Sequence, residues 1–128
     1  MTFRPYDTAL VLKAPGGSDI TSTAAETAIA LPVRSAGLFK AVITATKVDR
    51  TTGDETYVIA IETDSAVGFP SSVTVGSVSI TAAGMYEVLL SGDGIAALDA
   101  TAAAVRVKAT LSGTTPILNY HAFITPAS

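Results

Sequence analysis

The chain has 128 residues, a formal net charge of −3, one histidine, and neither cysteine nor tryptophan. That length suits a single domain with one core. Without cysteine there are no disulfides, thiolate zinc sites or cysteine nucleophiles, and the acidic balance excludes the basic footprint that nucleic acid or an anionic membrane surface requires.

Hydrophobic residues make up 48% of the chain but aromatics only 6%, so the expected core is thin and aliphatic. Charged residues, at 15%, fall below the roughly 25% of an average soluble domain. The surface must then be rich in Thr, Ser and Ala, which costs little to desolvate against a partner. No stretch approaches the ~20 apolar residues of a membrane helix, and the N-terminus lacks the charged start and apolar run of a secretory signal.

In chain order, residues 1–7 read as an N-terminal arm that Pro5 keeps out of helix. Thr8 to Lys13 is a first strand with Leu10 and Leu12 on one side, stopped by Ala14-Pro-Gly-Gly-Ser18. Residues 14–27 read as a surface loop. Ala28 to Val33 is a second strand, demoted by Pro32 to an edge or an end. Leu38 to Arg50 and Glu55 to Ser65 alternate most clearly, with Phe39, Ala41, Ile43 and Ala45 on one strand and Tyr57, Ile59 and Ile61 on the next. They are expected to pair as a hairpin, with Gly53 supplying positive φ in the Thr51–Asp54 turn.

Val73 to Ile80 changes phase by one residue, which makes Gly76 a candidate bulge. Gly84 opens a strand whose Tyr86, Val88 and Leu90 share a face. A short helical turn near residues 94–100 follows, with Asp93 as its expected cap and Ile95 and Leu98 on one side. In Val105–Leu111 apolar Val105, Val107, Ala109 and Leu111 alternate with Arg106, Lys108 and Thr110. The last strand, Ile117 to Thr125, offers Leu118, Tyr120, Ala122 and Ile124 to the core. About eight strands with turn signals every ~8–12 residues predict an all-β, single-domain antiparallel β-sandwich of jelly-roll type.

Chemistry is sparse in this pattern. His121 has no carboxylate partner on its own strand and reads as a half-exposed structural histidine. Asp49, Asp54 and Glu55 flank one turn, but Lys47 and Arg50 interrupt them. The expectation is a solvated, charge-mixed hairpin tip, with no metal, no cofactor and no catalytic residue. Gly16-Gly17 lacks the context of a phosphate loop.

The runs Tyr86-Glu-Val-Leu-Leu-Ser-Gly-Asp93, Ala97-Leu-Asp99, Val105-Arg-Val-Lys-Ala-Thr-Leu-Ser-Gly-Thr-Thr-Pro116 and Tyr120-His-Ala-Phe-Ile-Thr-Pro126 resemble the capsid cement, or decoration, proteins of short-tailed Bordetella-type phages. The likeness covers about residues 84–127 and is one of strand texture. It implies a jelly roll, paired as a homodimer, that sits on the outer surface of a virion assembled in the host cytoplasm and ties neighbouring major capsid proteins together. It transfers no catalytic residue and implies no small-molecule substrate.

Two segments suit contacts with such a shell: the arm Phe3, Arg4, Pro5 and Tyr6, and the tip residues Lys47, Asp49, Arg50, Asp54 and Glu55. The unbroken Leu38–Arg50 strand is the expected dimer edge. A carbohydrate-binding or adhesion sandwich is the alternative, although sugar platforms favour exposed aromatics and this chain has only four Tyr and four Phe.

Overall fold

A computed structural model describes residues 11–30, 38–66 and 68–126. Among these, nine strands and one short helix follow in the order β1 Val11–Lys13, β2 Ala24–Ala25, β3 Ile29–Ala30, β4 Leu38–Val48, β5 Thr56–Asp64, β6 Val73–Ser79, β7 Gly84–Ser91, α1 Gly92–Leu98, β8 Ala104–Ser112 and β9 Leu118–Pro126. One antiparallel sheet runs β1-β9-β4-β7 and the other β2-β8-β5-β6, with β3 also on β8. Because Ala24 pairs with Ala109 and Ile29 with Val105, β2 and β3 occupy successive stretches of β8 and act as one interrupted strand. Eight strand positions result, and their order is that of a jelly roll.

The alternation seen in the sequence becomes the two inner faces of this sandwich. Phe39, Ala41, Ile43 and Ala45 of β4 and Leu118, Tyr120, Ala122 and Ile124 of β9 are buried, as are Tyr57, Ile59 and Ile61 of β5 and Val105, Val107 and Ala109 of β8. Each large aliphatic side chain buried here contributes about 1.5–3 kcal/mol. The core is less purely aliphatic than its composition suggests, because Tyr57, Tyr120 and Phe39 are its largest fully buried side chains. The phase change in β6 is a bulge: Ile61 pairs with Gly76 and Glu62 with Thr74, leaving Val75 extra. A Cβ on Gly76 would stand 2.6 Å from Val88 Cγ1, so the bulge brings backbone against the opposite sheet where only glycine fits.

Several expectations are corrected. β4 and β5 do not form a hairpin, since β4 pairs with β7 and β9 while β5 pairs with β6 and β8. The 49–55 connection therefore crosses from one sheet to the other. For the same reason the Leu38–Arg50 strand is not an edge, because both sides of β4 are already hydrogen-bonded. β7 ends that sheet and carries exposed Met85 and Leu89 on its outer face, 68% and 67% accessible.

The 14–27 segment is not wholly loop. It contains β2, and Ile20 exchanges backbone bonds with Leu118. α1 is capped by Ser91, whose Oγ accepts from the Gly94 amide at 2.9 Å, leaving Asp93 in the first turn where its charge suits the helix dipole. Ile95 is buried but Leu98 is exposed, because one helical turn offers only a narrow inner face. Of the first two expected strands, residues 8–10 and 31–33 lie outside the described residues. Among the described residues no helix is long and apolar enough to cross a membrane.

Candidate functional site

The crossover from β4 to β5 gathers most of the polar residues singled out in the sequence. Asp49 closes it locally, its Oδ1 accepting from the Thr51 amide at 2.9 Å and the Thr51 hydroxyl at 2.6 Å. Gly53, at φ +90°, turns the chain, and its amide donates back to the Arg50 carbonyl at 3.1 Å. Asp54 reaches instead to the β8–β9 connection, where its two oxygens accept from the Thr114 amide at 3.1 Å and the Thr114 hydroxyl at 2.6 Å. The Thr52 and Thr115 hydroxyls meet at 3.2 Å.

Beneath these contacts the Tyr57 hydroxyl donates to the Asp49 carbonyl and accepts from the Ile117 amide at 3.0 Å. Gly113, at φ +109°, packs so tightly that a Cβ would lie 2.6 Å from the Glu55 Cα. The two connections are therefore interlocked, with hydroxyls and carboxylates in place of an apolar seam.

Charge follows the same geometry. Hydrogen bonds from the Thr114 side chain and backbone hold the Asp54 carboxyl below the ordinary carboxylate range. The Thr51 side chain and backbone do the same for Asp49. Next to the crossover, Asn119 Nδ2 donates to Asp19 at 2.8 Å and to the Gly17 carbonyl at 3.0 Å. Lys47 Nζ lies 3.0 Å from the other Asp19 oxygen, and Asp19 is lowered by Asn119 first and Lys47 second. Lys47 is thus bound into the surface beside the 14–20 loop.

Glu55 differs from its neighbours. It is 1% accessible, its Oε1 accepts from the Gly53 amide at 3.1 Å, and its Oε2 has no hydrogen-bond partner among the described residues. Leaving such a group unpaired costs about 1–3 kcal/mol. A cavity of about 190 Å³ adjoins it, walled by Tyr57 and Ile80 with Ser79 and Thr81 at the side. Arg50 lies at the cavity and donates to the Thr81 carbonyl at 3.4 Å.

Lys47, Asp49, Arg50, Asp54 and Glu55 thus belong to one end of the sandwich, but the three carboxylates do not converge, and each has its own loop partner. Among the described residues no three His, Asp or Glu side chains are grouped to hold a metal. Phe3, Arg4, Pro5 and Tyr6 lie outside the described residues. His121 is half-buried on the outer face of β9, opposite Thr44 of β4.

Thr114, Thr115, Asn119 and the Tyr57 hydroxyl complete the site. The sequence carries no local signal for their role, since each acts on a residue tens of positions away.

A second polar group stands at the opposite end of β5. Arg106 Nε donates to Glu62 at 2.8 Å, and the Phe69 ring covers the guanidinium with its centroid 4.3 Å away. Phe69 adopts φ +52°, a strained conformation for an aromatic residue, and is nevertheless buried over this pair. Asp64 shapes the same loop by accepting from the Ser71 amide at 2.7 Å and the Ser65 amide at 2.6 Å. These groups fasten a loop to the outside of the sheet.

No protein-family model, curated protein or solved structure matches this chain.

Proposed function

We propose that this chain is a non-enzymatic structural virion protein, a cement protein that binds the outer surface of an assembled phage capsid and bridges major capsid proteins. The observation that carries the reading is the interlocked end of the sandwich, where Asp54–Thr114, Thr52–Thr115 and Tyr57–Ile117 fix two connections into one platform. A body that arrives with its contact loops already ordered loses little conformational freedom on docking. Once it holds one shell subunit, its contact with the next is effectively intramolecular. The site's carboxylates serve this platform, with Asp49 and Asp54 accepting hydrogen bonds from the loops themselves. The low charge and the likeness of residues 84–127 to cement proteins agree with it.

The protein pairs as a homodimer in this account, and among the terminal strands of the described residues the contact is assigned to β7. Its only charged side chain, Glu87, is held by Lys40 at 2.8 Å, and Met85 and Leu89 flank that pair on the exposed face. The account includes no nucleic acid, membrane or small-molecule partner.

The reading is tested by adding the protein to undecorated, expanded heads of the phage that encodes it. Stoichiometric binding with a gain in resistance to heat or osmotic shock is the expected result. Absence of binding, or binding without any gain, contradicts it.

A further inference from the structure

Lys108 is the one cation among the described residues that has no protein partner. Lys13, Lys40, Lys47 and Arg106 each meet a carboxylate, and Arg50 donates to a carbonyl. Lys108 makes no hydrogen bond, ion pair or ring contact. We propose that the outer face of β8 at Arg106 and Lys108 docks an extended acidic segment of a partner protein, with carboxylates two residues apart. This patch lies along β8 away from the 49–55 platform, and the inference does not rest on the cement reading.

Val105, Val107 and Ala109 turn into the core, so Arg106 and Lys108 stand together on the outer face. In the sheet Lys108 is flanked by Ala60 of β5 and Ala25 of β2. Neither alanine offers a charge to pair with it or the bulk to cover it. Among the described residues, the side-chain polar atoms both buried and unpartnered are Glu55 Oε2 and the Tyr120 hydroxyl. Lys108 Nζ and the two Nη atoms of Arg106 are unpartnered but reach solvent.

Arg106 is held as a docking group would be. Glu62 takes its Nε at 2.8 Å, and Phe69 covers one face of the guanidinium, its own backbone strained at φ +52° to do so. The free edge is the one bearing both Nη atoms, a fork that matches the two oxygens of a carboxylate. A guanidinium fixed on one face and one edge has little freedom left to lose when that fork is bound.

The spacing chooses the occupant. Two positions along a strand rise about 6.7 Å, the same step that separates alternate side chains of an extended peptide. One carboxylate then falls on Arg106 and the next on Lys108. A single phosphate would concentrate its charge beside Glu62, and nucleic acid asks for a longer row of cations than these two.

The experiment titrates the ¹⁵N-labelled full chain by NMR with the capped peptide Glu-Thr-Glu at low, constant ionic strength, where exposed charges are least screened. Saturable shifts are expected at the Arg106 Nε and at the amides of Ala25, Ala60 and Lys108, with a Kd of about 1–10 mM. The capped peptide Glu-Glu-Thr has the same charge but puts its carboxylates on opposite faces when extended, and it should bind about two- to fivefold more weakly. Lys108→Gln should weaken Glu-Thr-Glu by about two- to fivefold and abolish the difference between the peptides.

The two-peptide comparison uses the wild type alone, so it stays decisive whatever the variant does to the fold. Lack of saturation, equal binding of the two peptides, or a Lys108→Gln protein that binds as the wild type does would each overturn the proposal. Tighter binding of inorganic phosphate at the same amides, or self-association that Lys108→Gln abolishes, would overturn it by giving the patch a different occupant.

Discussion

The Tyr57 hydroxyl lies 3.0 Å from the amide nitrogen of Ile117, 60 residues further along the chain, and through that contact β5 holds the connection leading into β9. The same oxygen donates to the Asp49 carbonyl, so one phenol satisfies groups on two connections. Tyr57→Phe keeps the ring in the core but leaves the Ile117 amide and the Asp49 carbonyl without their partner. We expect a loss of about 1–3 kcal/mol in urea unfolding at neutral pH, with an unchanged slope. A loss below about 0.5 kcal/mol would mean that water replaces the phenol at no cost.

Gly113 tests the interlock from the other side. Its positive φ and the 2.6 Å approach to the Glu55 backbone leave no room for a methyl group. Gly113→Ala should destabilise the fold by about 3 kcal/mol, whereas Gly53→Ala meets nothing within 4 Å and should cost only about 1 kcal/mol, for its φ alone. Equal costs at the two positions would remove the steric argument.

Acid should loosen the connections that hydrogen-bonded carboxylates hold, at this end and around Asp64 at the other. Asp54, Asp49 and Asp19 are all held below the ordinary carboxylate value of 3.8 by hydrogen bonds they accept in the folded state. A lowered folded value means that the unfolded chain takes up protons first. The stabilisation is therefore complete above about pH 4 and is lost as pH falls below it. Melting temperature should be flat from pH 7 to about pH 5 and fall progressively below about pH 4. Asp54→Asn should make that fall shallower, and an unchanged acid limb would show that the Thr114 bonds do not require the charge.

The β7 edge makes a separate prediction. The wild type should sediment as a dimer at micromolar concentration, and Leu89→Glu should shift it to a 13.0 kDa monomer. Because Leu89 is exposed, thermal stability extrapolated to low protein concentration should change by no more than about 0.5 kcal/mol. A Leu89→Glu protein that remains dimeric would place the contact elsewhere.

Side-chain direction was legible in the sequence and strand partnership was not. The alternation in Val105–Leu111 and Leu118–Ile124 correctly assigns every inward residue, because period two follows from the pleat whatever strand lies alongside. The Thr51–Asp54 turn misleads because Gly53 supplies positive φ to a crossover between sheets as readily as to a hairpin. The pairing of β4 with β9, as at Val42 and Phe123, joins the middle of the chain to its end, and no local pattern encodes that. β2 escapes notice because Ala24 and Ala25 are too small to mark a strand face.

The site divides in the same way. Asp49, Asp54 and Glu55 stand out as charges beside a turn, whereas Thr114 and Asn119 gain meaning only once the sandwich brings them near. Nothing local marks Glu55 as the carboxylate that ends up buried.

The most direct test of the account is cryo-electron microscopy of native particles of the phage that encodes this chain. The account predicts density for the jelly roll on the outer surface, with the 49–55 and 113–117 connections over a seam between major capsid subunits. Density inside the shell, contact through the opposite end of the sandwich, or particles lacking the chain altogether would contradict it.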